Sequence, residues 1–443
     1  MSVTLSYRTI WKISYPIFLS LLAQHIIIVI DTAFLGRVGE IELGASAIGG
    51  LFYVSLFILG FGFGTGTQIL IGRRNGEKNY HQIGTYVDHS LYFLVVMGLI
   101  LFLVSRLVAS DILKLILSSE KIYAASKEYL DVRIWGLVFA FINMAFRAFY
   151  IGVTQTRYLA YTASLMAIVN ITLDYLLIFG NYGFPQMGIA GAALASVIAE
   201  ASAVVFFVII TIAKVDLSKY NLFRFQKLNI SVIKKTMEVA GFIMMQFFVS
   251  ILSWFTFFMI IEKTGERNLA VSNILRSLYM IFTIPIFGLG SATNTIVSNL
   301  LGEGKQKSVI PTIYRLSVIS LLSILGFIVI TLVFQWEIIS FYTTDKTLIE
   351  YTLGPLKVIL GVLLIFSVSI IIFNGVAGTA NTQISLIIEI IAMVLYLSLA
   401  YYLAVVTKSS IEVIWSTEYL YFSTLGLLSF WYLKTGKWKK KVI

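Results

Sequence analysis

Four carboxylates set within long apolar runs stand out as intramembrane candidates: Asp31, Asp174, Glu200 and Glu389. An ionisable side chain in a bilayer costs at least about 2.5–3.5 kcal/mol on insertion scales, so each marks a candidate place for holding a proton or another cation. Spacing then groups them. Asn170 precedes Asp174 by four residues and shares its helix face. Gln24 precedes Asp31 by seven, also on one face, and Glu200 follows Ser196 by four. Blander readings compete with each. Asp31 alone suits helix packing, and an Asn170–Asp174 pair suits an interhelical clasp, since such hydrogen bonds are worth about 0.6–2 kcal/mol in membranes. Tyr129 near an interface suits an aromatic belt. For Glu200 and Glu389 the functional and structural readings both stay open.

The elements that must position these residues are membrane helices. About 20 apolar residues cross the roughly 30 Å of hydrocarbon. Twelve such runs occur, near 10–35, 41–71, 83–107, 129–153, 158–179, 189–213, 235–261, 269–298, 310–334, 349–377, 383–406 and 411–433. None alternates in the way of a barrel strand. The first run keeps Pro16 and Asp31 and is followed by no small-residue cleavage site, so it reads as a span and not a signal peptide.

Lys and Arg in the loops set the orientation. With the N-terminus in the cytoplasm, nineteen fall inside, including five between Lys434 and Lys441, and nine outside. Both termini are therefore expected in the cytoplasm, and the inner membrane is the expected location. Asp31 and Asp174 then lie four to five residues from the outer ends of their spans, roughly 6 Å deep, with Ser196 roughly 10 Å deep. Tyr129 opens the fourth span from outside, and Glu389 sits in the inner half of the eleventh.

Composition agrees. The 443 residues are 58% hydrophobic and 12% charged, with a mean hydropathy of +0.90, against about a quarter charged in soluble proteins. The formal charge of +11 is explained by basic inner loops, without a nucleic-acid partner. With no cysteine and three histidines, thiolate chemistry and a histidine-rich metal site are excluded.

The chain also repeats itself. FGFGTGTQILIGRRNGE (61–77) aligns with FGLGSATNTIVSNLLGE (287–303) at an offset of 226, which also pairs Gly39-Glu40 with Gly265-Glu266. Six spans per half give both halves the same orientation, related by an axis along the membrane normal. The expected fold is all-α and polytopic. It has a six-helix lobe over 1–213, a basic cytoplasmic connection over 214–234 and a second six-helix lobe with a basic tail over 235–443. Two lobes with a cleft between them suit alternating access. The glycines at 60, 62, 64 and 66 read chiefly as close-packing positions, and Pro16 and Pro285 as kink points.

Several stretches resemble the multidrug and toxic compound extrusion (MATE) family: PIFLSLLAQHIIIVIDTAFLGRVGEIELGA (16–45), GTGTQILIGRRNGE (64–77), NITLDYLLIFG (170–180), GIAGAALAS (188–196) and GLGSATNTIVSNLLGEG (288–304). An acid in the first span points to the DinF-like branch. The resemblance implies a first-lobe cation site at Asp31, Tyr129, Asn170, Asp174 and Ser196, with Asp31, Asn170 and Asp174 as oxygen ligands if the coupling ion is Na⁺. The NorM-like branch instead places key acids in the second lobe. Here the seventh span has none before Glu262 and the tenth only Glu350 at its outer start.

The function expected is therefore a secondary multidrug exporter exchanging H⁺ or Na⁺ for small, amphipathic organic cations, monomeric and without a cofactor. The alternative is a lipid-linked substrate flippase of the same superfamily, which would line its cavity with several Arg and Lys; Arg133, Arg147 and Arg276 are few and scattered. An enzyme is disfavoured: no G-x-x-x-x-G-K-[ST], HExxH or GxSxG occurs, and a prenyltransferase needs paired aspartate-rich motifs to hold Mg²⁺.

Overall fold

The computed structural model describes residues 6–440, so Lys441 of the basic tail lies outside the described residues. Every regular element among them is helical. In lipid this is what backbone hydrogen bonding requires, because each N–H and C=O must be satisfied within its own segment. The first half contains α1 (Tyr7–Val38), α2 (Glu40–Gly76), α3 (Tyr80–Ile116), α4 (Glu120–Arg133), α5 (Gly136–Gly152), α6 (Arg157–Phe179), α7 (Gly188–Lys214) and the short α8 (Leu217–Tyr220). The second contains α9 (Ile230–Glu262), α10 (Glu266–Gly302), α11 (Val309–Val333), α12 (Gln335–Ser340), α13 (Lys346–Gly378), α14 (Thr382–Tyr401), α15 (Ile411–Trp415) and α16 (Thr417–Thr435).

Among the described residues, ten helices are long and apolar enough to cross a membrane, and the pair α4–α5 makes an eleventh bent by 48°. The 19-residue α16 occupies the twelfth expected run. The offset of 226 holds in three dimensions. It carries Glu40 and Gly76, the ends of α2, onto Glu266 and Gly302, the ends of α10, and it carries the start of α4 and the end of α5 onto the ends of α13. One expectation needs correction: the run 129–153 is not one continuous helix but breaks between Arg133 and Gly136. Pro16 and Pro285, by contrast, lie within uninterrupted helices.

Two compact units are present. One is Tyr15–Met244; the other joins the start of α1, up to Ser14, to Met245–Ile443. The division falls inside α1 and α9, not at the connecting segment 214–234. The reason lies in the glycines of α2. A Cβ on Gly62 would come within 2.7 Å of the Met244 Cα, and one on Gly66 within 2.5 Å of the Ala240 Cα, so the first half of α9 packs backbone to backbone on the first lobe. Gly60 and Gly64 face α5 instead, at Phe141 and Met144.

Within the first unit α6 runs along α7, and α2 along α5. The connecting segment is strapped to α3: the Gln226 N–H donates to Asp88 (3.3 Å), the Asn229 N–H to His89 Nε2 (2.9 Å), and the Tyr92 hydroxyl to the Gln226 carbonyl (3.0 Å). Within the second unit α13 packs between α10 and α16, around a core that includes Phe257, Ile359, Phe366, Tyr396, Trp415 and Phe422.

Candidate functional site

In the first lobe, α6 presents Asn170 and Asp174 one turn apart, both fully buried. It lies close against α7 because Gly191 leaves room for the Leu177 carbonyl, which a Cβ there would approach to 2.7 Å. Across that contact Asn170 Nδ2 donates to Ser196 Oγ (3.4 Å). Asp31 comes from α1, and its carboxyl abuts that of Asp174. Among the described residues no donor reaches Asp31 Oδ1, either oxygen of Asp174, or Asn170 Oδ1. Buried polar atoms are hydrogen-bonded as a rule. Four donorless oxygens from two helices thus form a cluster of acceptors. Gln24, half-buried on α1, takes part in none of these hydrogen bonds.

Glu200 does not join the acceptor cluster. It sits one turn beyond Ser196 on α7 and is bound by Arg133 of α4 through two parallel bonds, Nη1 to Oε2 at 3.0 Å and Nη2 to Oε1 at 2.6 Å. The side chains are 11% and 13% exposed, so the pair is nearly out of solvent, where each charge needs the other. The Tyr53 hydroxyl donates to both Glu200 oxygens (2.9 and 3.1 Å), and the Arg133 guanidinium stacks 3.6 Å above the Tyr53 ring. Asn143 Nδ2 donates to the Glu200 carbonyl (2.9 Å). Tyr129 belongs to both groups: its hydroxyl lies against Arg133 and is within the field of Asp31. Gly49 leaves space for its ring.

The same pair lies beside the break in the fourth span. A Cβ on Gly136 would collide with both the Arg133 guanidinium and the Glu200 carboxylate. The ion pair occupies the space beside the break, and glycine is the residue that lets it in. Arg147, on α5, makes a long bond to Ser20 Oγ (3.5 Å) and faces the Phe61 ring at 5.9 Å.

The second lobe also buries two acids, in a different chemical state. Glu389 Oε1 accepts from Ser250 (2.8 Å) and from the Tyr421 hydroxyl. Glu418 accepts from Tyr396 (3.1 Å) and Tyr279 (3.4 Å). Neither carboxylate contributes an orphaned oxygen. Sequence reasoning missed Glu418, although it lies seven residues into the last apolar run. It also missed the pairing of Arg133 with Glu200. The available signal was one arginine and one glutamate, of opposite sign, in apolar runs of the same lobe. Among the described residues no group of three or more His, Cys, Asp or Glu is arranged to hold a metal.

The sequence profile of the family described as MatE matches residues 16–176 and 242–402, two segments displaced by the same 226. A probable multidrug resistance protein NorM of Thermotoga maritima is 28% identical over 93% of this chain and 89% of its own length. A probable multidrug resistance protein YoeA of Bacillus subtilis is 24% identical over 99% and 95%. Among solved structures, an outward-facing multidrug resistance MATE family transporter of the MOP superfamily superposes with a TM-score of 0.89 at 17% identity, covering 98% of this chain and 96% of that one. A MOP superfamily transporter from Pyrococcus furiosus, described as having a binding pocket of reverse polarity that suggests a different function, gives the same TM-score, identity and coverage. At this identity the two structures speak to the fold alone.

Proposed function

The chain belongs to the MatE family, and from that premise we propose that it is a secondary exporter that exchanges small organic cations for an inward-moving proton or Na⁺. The observation that carries the reading is the donorless oxygen cluster of Asp31, Asn170 and Asp174. If both were ionised, the abutting carboxyls of Asp31 and Asp174 would repel each other. One proton supplies the missing donor; one Na⁺ draws on the same hard oxygens. Either cancels charge in apolar surroundings, where uncompensated charge is costly.

A cationic substrate competes for the same negative charge, directly or through the lobe's conformation. With the cluster charged, the lobe favours an organic cation; with an ion bound from outside, that attraction is gone and the substrate leaves outward. Linkage makes the exclusion mutual: whatever affinity the ion removes from the substrate, the substrate removes from the ion. The multidrug-resistance names of the Thermotoga and Bacillus relatives support small, chemically varied substrates. Arg133, already neutralised by Glu200, is not free to take an anionic lipid head group, which favours an exporter over a flippase. The protein acts as a monomer in the cytoplasmic membrane with both termini inside, and nothing in the exchange requires a cofactor or a covalent step.

Efflux of a fluorescent organic cation from proteoliposomes, under separately imposed pH and Na⁺ gradients, tests the reading. Wild type is expected to respond to one of the two gradients and Asp31→Asn to neither; equal efflux by the variant would refute it. Because the chain has no cysteine, single Lys219→Cys and Lys437→Cys variants report topology cleanly. Both are expected to label from the cytoplasmic side.

A further inference from the structure

The Arg133–Glu200 pair takes no part in the exchange just described, yet it stands beside the acceptor cluster. Glu200 sits one turn beyond Ser196 on α7, and Ser196 accepts from Asn170 of the cluster (3.4 Å); Tyr129 lies near enough to Arg133, Asp31 and Glu200 for the charges of all three to act on it. A guanidinium with five donors is thus within electrostatic reach of a carboxylate whose Oδ1 has no donor. It is held elsewhere by a fork-to-fork bond to Glu200, the Tyr53 ring beneath it, and the Tyr53 hydroxyl and Asn143 amide that fix Glu200.

We propose that Glu200 is a positioning residue that sequesters Arg133, keeping this built-in cation off Asp31 so that the acidic pair stays open to an ion or substrate from solution. The inference rests on the exchange reading of Asp31 and Asp174. Its physical basis is charge accounting within one lobe. Two carboxylates and a guanidinium without Glu200 would close on themselves, since a buried charge left without a partner is strongly unfavourable and Arg pairs with carboxylates in a two-pronged geometry. Adding Glu200 neutralises Arg133 locally and leaves the Asp31–Asp174 pair negative. Tyr53 and Asn143 add nothing to that charge; they hold Glu200 where it captures both Arg133 prongs.

Two substitutions separate this role from packing. Glu200→Gln keeps the shape and removes the charge; Glu200→Asp keeps the charge and shortens the arm. A packing role makes Gln benign and Asp harmful. Sequestration predicts the reverse: in Glu200→Gln, ion-coupled efflux falls and the ion dependence of substrate affinity flattens by about tenfold or more, a usual size for coupling between sites, while Glu200→Asp stays within about threefold of wild type. The decisive arm is the double variant Glu200→Gln/Arg133→Gln, which removes both the sequestering charge and the internal cation. It is expected to recover ion-dependent substrate binding to within about threefold of wild type. Retained coupling in Glu200→Gln, or a double variant as uncoupled as the single, overturns the proposal. If Glu200→Gln fails to accumulate in the membrane, the double variant decides alone: coupled exchange supports sequestration, and loss of it refutes sequestration. Asp31→Asn, measured alongside, keeps the two claims apart. If Asp31→Asn behaves as wild type, the exchange mechanism itself falls; if it uncouples and Glu200→Gln does not, only sequestration falls.

Discussion

The two lobes are built on one frame and filled with opposite chemistry. At the offset of 226, Asp31 corresponds to Phe257, Asn170 to Tyr396, Asp174 to Ala400, Ser196 to Phe422 and Arg133 to Ile359. Every one of these second-lobe residues is buried in that lobe's hydrophobic core. Glu200 corresponds to Gly426, where a Cβ would strike the Ser369 side chain. Tyr53 and Tyr279 are the shared pair, and each donates to a buried glutamate, Glu200 in one lobe and Glu418 in the other. Both lobes therefore bury acids, and what differs is the supply of donors. Glu389 and Glu418 have hydroxyl donors and Glu200 has Arg133, whereas Asp31 Oδ1 and both oxygens of Asp174 have no donor. On the exchange reading proposed above, it is the missing donors, not the presence of acids, that set Asp31 and Asp174 apart from the other buried carboxylates.

The largest way to break the contrast is to give the first lobe the second lobe's residue. Asp174→Ala places the side chain of position 400 in α6, and ion-coupled efflux in proteoliposomes is expected to fall by about a hundredfold while the protein still inserts. Efflux near wild type would make Asp174 a packing residue. Next in size is Gly136→Val, which installs the residue found at position 362 in the unbroken α13. Its Cβ meets both members of the ion pair, and breaking a buried pair costs about 3–5 kcal/mol. A lowered melting temperature in detergent is expected together with weakened coupling; unchanged values would mean that the break in the fourth span does not depend on the pair. The smallest effect is expected at Glu389. Gln in its place still accepts from Ser250 and Tyr421, so coupling should change by less than about twofold and stability by about 1 kcal/mol. Loss of coupling comparable to that of Asp31→Asn would erase the difference between the lobes.

Much of the frame was legible in the sequence because it is written in local signals. Apolar runs mark the helices, and one glycine-rich segment with its Gly-Glu ending revealed the offset that α2 and α10 obey to the residue. The four-residue spacing that puts Asn170 and Asp174 on one helix face was legible in the same way, whereas joining them to Asp31 and Ser196 in one site came from the family resemblance. The break at Gly136 was not legible, because the ion pair beside it joins α4 to α7, which are distant in sequence, and the run itself carries no proline. Arg133 looked scattered for the same reason. Sequence displays which charges enter the membrane; which of them meet a donor depends on rotamers and helix packing that no spacing encodes. Glu418 was passed over although it lies about as far into its run as Glu389 does, because no polar residue at helical spacing accompanies it to draw attention.

The most direct test of the central claim is equilibrium affinity of the purified protein for a fluorescent organic cation, titrated separately against pH and Na⁺. If the donorless Asp31–Asp174 pair is where ion and substrate exclude each other, wild-type affinity weakens as the coupling ion is added. In Asp31→Asn the affinity becomes independent of that ion while the protein stays folded. An Asp31→Asn protein that keeps the full wild-type ion dependence would contradict the account.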